Sequence, residues 1–106
     1  VNEPQQARRS IGIFEGAAVY RTTCKELGVT PLERPVPIFS SERVELSESG
    51  DVSTRQSYAI AKTIRSCAPR EIALTNAYLT DMGCAEIVEA GIACGQLRVL
   101  QASGCW

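Results

Sequence analysis

Carboxylates come in close pairs along this chain, Glu42 with Glu45 and Glu86 with Glu89, and such pairs are common machinery for general acid–base catalysis. Their surroundings argue against that use. There is no histidine to serve as a base and no glycine-rich phosphate loop, and Glu86 and Glu89, three residues apart, share one solvated face if the segment is helical. Cys84 falls near a predicted helix N-terminus, where the partial positive charge of the helix lowers a thiol pKa. Cys84 or Cys94 is thus the candidate for thiol redox chemistry, with no activating neighbour in sight. The five cysteines (Cys24, Cys67, Cys84, Cys94, Cys105) are odd in number and lack C-x-x-C spacing, which fits neither a disulfide framework nor a zinc site. They are expected to be reduced thiols packed as small apolar groups in a reducing, cytoplasmic compartment. No catalytic residue, metal ligand or cofactor site is expected, and the chain is read as a non-enzyme.

Composition narrows the partners. With 106 residues the chain has the length of one domain, and its formal net charge of -1 comes from 22% charged residues of both signs. No run of five basic residues occurs, so neither nucleic acid nor an anionic membrane is an expected partner. The apolar stretch Ile11 to Val19 is too short to span a bilayer. No small-molecule substrate is suggested, which leaves protein partners.

The elements that would position these residues recur. Val44-Glu45-Leu46, Ile72-Ala73-Leu74 and Leu100-Gln101-Ala102 align without gaps at steps of 28 residues. A constant period of this size indicates stacked supersecondary units. Each triplet reads as a short strand, the strands running over about 43–47, 71–75 and 97–102. Between them lie two helices, one with Tyr58, Ile60, Ile64 and Cys67 at helical spacing and ending at Ala68-Pro69, the other over about 82–93. At the same 28-residue offset Ile87, Val88 and Ile92 answer Ala59, Ile60 and Ile64. The strands return in one phase of the repeat and must be parallel. Leu46, Ile60, Ile64, Ile72, Leu74, Ile87, Val88, Ile92 and Leu100 are expected to form one core between strands and helices.

Upstream, Phe14, Ala17, Ala18, Tyr20, Cys24 and Leu27 mark the apolar face of a helix begun by a Ser10 cap and ended by Gly28. Pro31, Pro35 and Pro37 then forbid regular strand through Phe39. Val29, Leu32, Val36, Ile38 and Phe39 in this connector are expected to cover the edge of the core. The organisation read from the chain is a flexible segment 1–10, a capping helix and connector 11–40, and repeats over 41–106.

Leu97, Leu100 and Ala102 take the positions of an L-x-x-L-x-L pattern, and Leu79-Thr80-Asp81-Met82-Gly83 follows the second strand at a fixed offset. Together with Ile72, Leu74, Ile87 and Ala90, these residues make 41–106 resemble leucine-rich repeats of the ribonuclease-inhibitor class. Asp81 beside Gly83 then belongs to the repeat pattern. The resemblance implies an α/β solenoid of short parallel strands alternating with helices. The family's turn asparagine is replaced by Ser49, Ala77 and Cys105, and Ala77 supplies no side-chain donor there. The segment Tyr20 to Pro31 is similar to the helix and Pro turn preceding such repeats in cytoskeletal and ciliary, including axonemal, proteins.

In a solenoid of this kind the outward strand positions form one continuous face. Here they are Arg43, Glu45 and Ser47, then Glu71, Ala73 and Thr75, then Val99, Gln101 and Ser103, with Trp106 as an end contact. The expectation is a protein-interaction scaffold in the cytoplasm, on a cytoskeletal or ciliary assembly. A second expectation is a leucine-rich-repeat regulator of an enzyme, inhibiting a nuclease or activating a small GTPase, with Arg43 and Glu71 as contact residues. Repeat stacks need a cap or a neighbour at each end, so a further unit or another chain is expected against residues 97–106.

Overall fold

The computed structural model describes residues 10–32 and 37–101. Helix α1 (Ile13–Leu27) is followed by strands β1 (Ile38–Phe39), β2 (Arg43–Glu45) and β3 (Gly50–Val52), then helix α2 (Thr54–Cys67), strands β4 (Glu71–Ala73) and β5 (Ala77–Leu79), helix α3 (Asp81–Ala93) and strand β6 (Val99–Gln101). One sheet has the order β1-β2-β4-β6, and β3 pairs with β5 in a second. The result is a mixed α/β domain of helices and mainly parallel strands.

Val44 lies beside Ile72 and Ile72 beside Leu100, 28 residues at each step, as the strand pattern implies. The helices keep a different count. In the second sheet Gly50 faces Ala77 and Val52 faces Leu79, 27 residues apart. The helix caps Ser53 and Thr80 differ by the same 27. The difference is one extra residue in the turn after β2, where both Glu48 and Gly50 have positive φ, against Asn76 alone in the shorter turn after β4. Five residues lie between Ala93 and Val99 but three between Cys67 and Glu71, and Gly95 at φ 73 closes this longer return.

This slip corrects the predicted core. The counterpart of Ile60 is Ile87, and that of Ile64 is Gly91. Val88 and Ile92 are turned by about 100° from the expected face, the rotation of one residue. Leu46, Ile60, Ile64, Ile72, Leu74 and Ile87 are fully buried. Val88 is half-buried, Ile92 is 66% exposed and Leu100, on the edge strand β6, is 40% exposed. Ile92 answers Arg65, which also faces outward.

Both later helices start on side-chain caps. Ser53 Oγ accepts the Gln56 N–H while Gln56 Oε1 accepts the Ser53 N–H, a reciprocal capping box. Thr80 Oγ1 accepts from the Gly83 N–H at 3.0 Å. Gly83 is required for packing: a Cβ there would lie 2.4 Å from Ser57 Oγ on α2.

The first helix departs from expectation at its start. Its N-cap is Gly12, with no side-chain cap. Ser10 cannot serve because Ile11 is already engaged, its N–H donating to Ser41 Oγ and its carbonyl accepting the Ser41 N–H, each at 2.8 Å. Gly28 ends the helix in the left-handed region as predicted. Gly16, Tyr20, Thr23 and Cys24 are the buried positions, and Phe14, two residues from Gly16 and so on the opposite side, is 91% exposed. Close approach sets this phase, since a Cβ on Gly16 would fall 1.7 Å from the Phe39 carbonyl oxygen.

Phe39, fully buried, stacks on Tyr20 with ring centroids 4.6 Å apart. The Tyr20 hydroxyl accepts the Leu32 N–H at 2.9 Å and pins the connector. Val29 and Leu32 pack against the core as expected, whereas Ile38 is exposed, and Val36 lies outside the described residues. Ile38 and Phe39 do form a strand, antiparallel to β2. Pro37 permits it by standing just before the strand, where no ladder donor is lost.

Candidate functional site

The strand face carries one polar cluster that joins two strands. Arg43 and Glu71 are register partners on β2 and β4, and Glu45 lies two residues from Arg43 on the same side. Arg43 Nε donates to Glu45 Oε1 at 2.8 Å, and Arg43 Nη1 donates to Glu71 Oε1 at 2.6 Å. Burial pulls the Glu45 carboxyl upward, but hydrogen bonds from Ser47 and Arg43, with the guanidinium charge, outweigh it and leave its pKa lowered. The Arg43 pKa is raised, chiefly by its hydrogen bond to Glu45 and further by Glu71. The three side chains remain 29–42% exposed, so the cluster is held in place yet open to a partner.

The other predicted face residues take different places. Ser47 and Thr75 are half-buried, and Val99 and Gln101 are exposed on β6 beside Glu71 and Ala73. Ala73 is only 1% exposed, its methyl group lying between Glu45 and Gln101 in register. It is no contact residue. Ser103 and Trp106 lie outside the described residues, as does Cys105.

Two flanking pairs escaped the sequence reading. Asn76 Nδ2 donates to Glu48 Oε2 at 2.8 Å, and Arg70 approaches Glu42 at 3.9 Å. Both pairs span 28 residues, as Arg43 and Glu71 do. Complementary residues at the repeat offset were the signal that could have found them. Turn closure at Ala77 uses backbone alone: its N–H donates to the Leu74 carbonyl at 2.9 Å, as the Ser49 N–H does to Leu46. The missing side-chain donor therefore leaves this bond intact.

Comparison with protein-family models, curated proteins and solved structures gives no match. What the site can do is therefore argued from its own geometry.

Three of the thiols, Cys24, Cys67 and Cys84, are shifted away from the reactive thiolate form. Cys84 is pushed up by burial and then by the nearby Asp81, opposite to the shift expected from the helix terminus. Burial, followed by Cys94 and Glu15, pushes Cys67 up to about 11. Cys24 is raised by burial as well, against a smaller opposing effect from Tyr20. Cys94 Sγ lies 3.1 Å from the Ala90 carbonyl oxygen, within reach as a donor. Among the described residues no group of three or more His, Cys, Asp or Glu is placed to hold a metal, and no helix is long and apolar enough to cross a membrane.

Proposed function

We propose that this chain is a non-catalytic protein-interaction module. In this reading residues 41–106 are leucine-rich repeats of the ribonuclease-inhibitor class, residues 11–40 are their N-terminal cap, and the module serves a cytoplasmic assembly of cytoskeletal or ciliary type. The observation that carries the proposal is Arg43 bridging Glu45 and Glu71 across neighbouring parallel strands. Polar side chains ordered by one another before binding lose less entropy on contact. One cation between two carboxylates leaves a surplus negative charge. The favoured partner is therefore a protein segment rich in donors or basic groups, seated across β2, β4 and β6. The enzyme-regulator alternative uses the same face, with Arg43 as its fixed cation.

The test is native co-purification from the source with quantitative identification of partners. Wild-type chain is compared with Glu45→Lys/Glu71→Lys, after matched thermal melting shows that both are folded. Partners retained by the wild type and lost by the variant support the reading. Equal recovery by both, or no enriched partner, refutes it.

A further inference from the structure

We propose that copies of this chain associate head to tail, the outer face of α1 in one copy docking on the outer face of α3 in the next. This rests on surfaces separate from the strand face and stands whether or not that reading holds. Helix α2 packs against both α1 and α3 and lies between them. The outer helices therefore have faces turned away from the layer.

On α1 the face opposite the buried positions carries Phe14, Ala18, Arg21 and Lys25 at spacings of four, three and four residues, all exposed. Among the described residues neither Arg21 nor Lys25 is in an ion pair. An aromatic ring at 91% exposure beside two cations makes a binding stripe that is apolar at one end and basic at the other. The outward face of α3 has the complementary character. Met82 (62% exposed) and Ile92 stand at its two ends, with Ala85 and Glu89 exposed between them and Glu86 half-buried alongside.

Packing within the chain supplies the direction. Ile11, just before α1, donates its N–H to Ser41 Oγ, which donates in turn to the Cys67 carbonyl at the end of α2, and the Leu27 carbonyl at the end of α1 accepts from Arg55 at the start of α2. The two helices are antiparallel, and Glu26 pairs with Lys62 between them. Helices α2 and α3 run the same way, Ser57 meeting Gly83 and Ile64 meeting Cys94. A second copy that extends the layer by the same rule lays its α1 antiparallel on α3. Phe14 then falls at Ile92, Arg21 at Glu86 and Glu89, and Lys25 at Asp81 and Met82. Phe14 thus meets Ile92, and both cations meet carboxylates.

With 15 and 13 residues, the helices are about 22 and 20 Å long at 1.5 Å per residue. One helix-to-helix contact of that length falls short of the roughly 1,200 Å² of a stable interface, so the association is weak and concentration-dependent. A heterologous contact of this type builds open chains or rings rather than twofold dimers.

The experiment is sedimentation velocity from about ten micromolar to about half a millimolar, a range suited to a contact below the stable size class. The wild-type chain should gain mass with concentration, and added salt should reverse the gain. Arg21→Glu/Lys25→Glu alone and Glu86→Lys/Glu89→Lys alone should each self-associate at least tenfold more weakly. Their equimolar mixture should associate again, because reversed α1 then meets reversed α3. Phe14→Ser, which changes no charge, should also weaken association, and unchanged circular dichroism shows that each variant is folded. Monomeric wild type across the range overturns the proposal and leaves these faces to another partner. So does a folded pair of charge variants that fails to recover on mixing, or Phe14→Ser associating like the wild type.

Discussion

Replacing Ile87 and Ile92 separately by alanine measures the one-residue slip of the helices against the strands. A uniform 28-residue period puts both side chains in the core, whereas the observed 27-residue offset between helices puts Ile87 opposite Ile60 and turns Ile92 outward. Ile87 is fully buried, so Ile87→Ala removes apolar contacts and opens a cavity, at about 2–5 kcal/mol. Ile92 is 66% exposed. Its truncation forfeits about a third of the ~1.5–3 kcal/mol that a fully buried side chain contributes, or ~0.5–1 kcal/mol. For a domain near this size 1 kcal/mol moves Tm by about 4–8 °C. Ile87→Ala should therefore lower Tm by about 8 °C or more, and Ile92→Ala by less than about 8 °C. Urea and thermal unfolding followed by far-ultraviolet circular dichroism, at protein concentrations low enough to keep the chain monomeric, give both values. Equal losses for the two variants, or a larger loss for Ile92→Ala, would refute the slip.

Two other outcomes follow from local geometry. Ala68 ends α2 at φ 48, ψ 60, a left-handed conformation that costs a residue with a Cβ about 1–2 kcal/mol. Ala68→Gly should thus raise stability by about 0.5–1 kcal/mol after the entropic cost of glycine; a loss in urea unfolding would contradict this. The Glu45 pKa is lowered in the folded chain, where bonds from Ser47 and Arg43 overcome the effect of burial. Its contribution is fully present above the unfolded carboxylate pKa of about 4.3 and is lost as pH falls through the lower folded value. Wild type should exceed Glu45→Gln in stability at neutral pH by less than about 1 kcal/mol, given the partial exposure of the pair, and the difference should close on acidification. A gap that widens below the unfolded pKa would reverse the sign of this argument.

The strand register and the parallel sense of β2, β4 and β6 were legible in the residues, whereas the ion pair between Arg43 and Glu71 was not read there although that register sets the two side by side. Parallel strands held at one offset bring identical phases of the pattern together, so residues 28 apart in the chain become neighbours in space. The end of α1 at Gly28 and of α2 before Pro69 was equally legible, because backbone freedom at glycine and the missing proline donor act locally. The structure decided what local chemistry leaves open. One residue gained in the turn at Gly50 and returned in the longer connection at Gly95 keeps the strands in step while rotating α3. No pattern of apolar residues distinguishes that from a constant period, since Val88 and Ile92 are as apolar as Ile87. The start of α1 was set at a distance, by Ser41 binding both backbone groups of Ile11. Its buried face was set by the contact of Gly16 with the Phe39 carbonyl. Such choices depend on which surfaces meet, and only the packed chain brings those surfaces together.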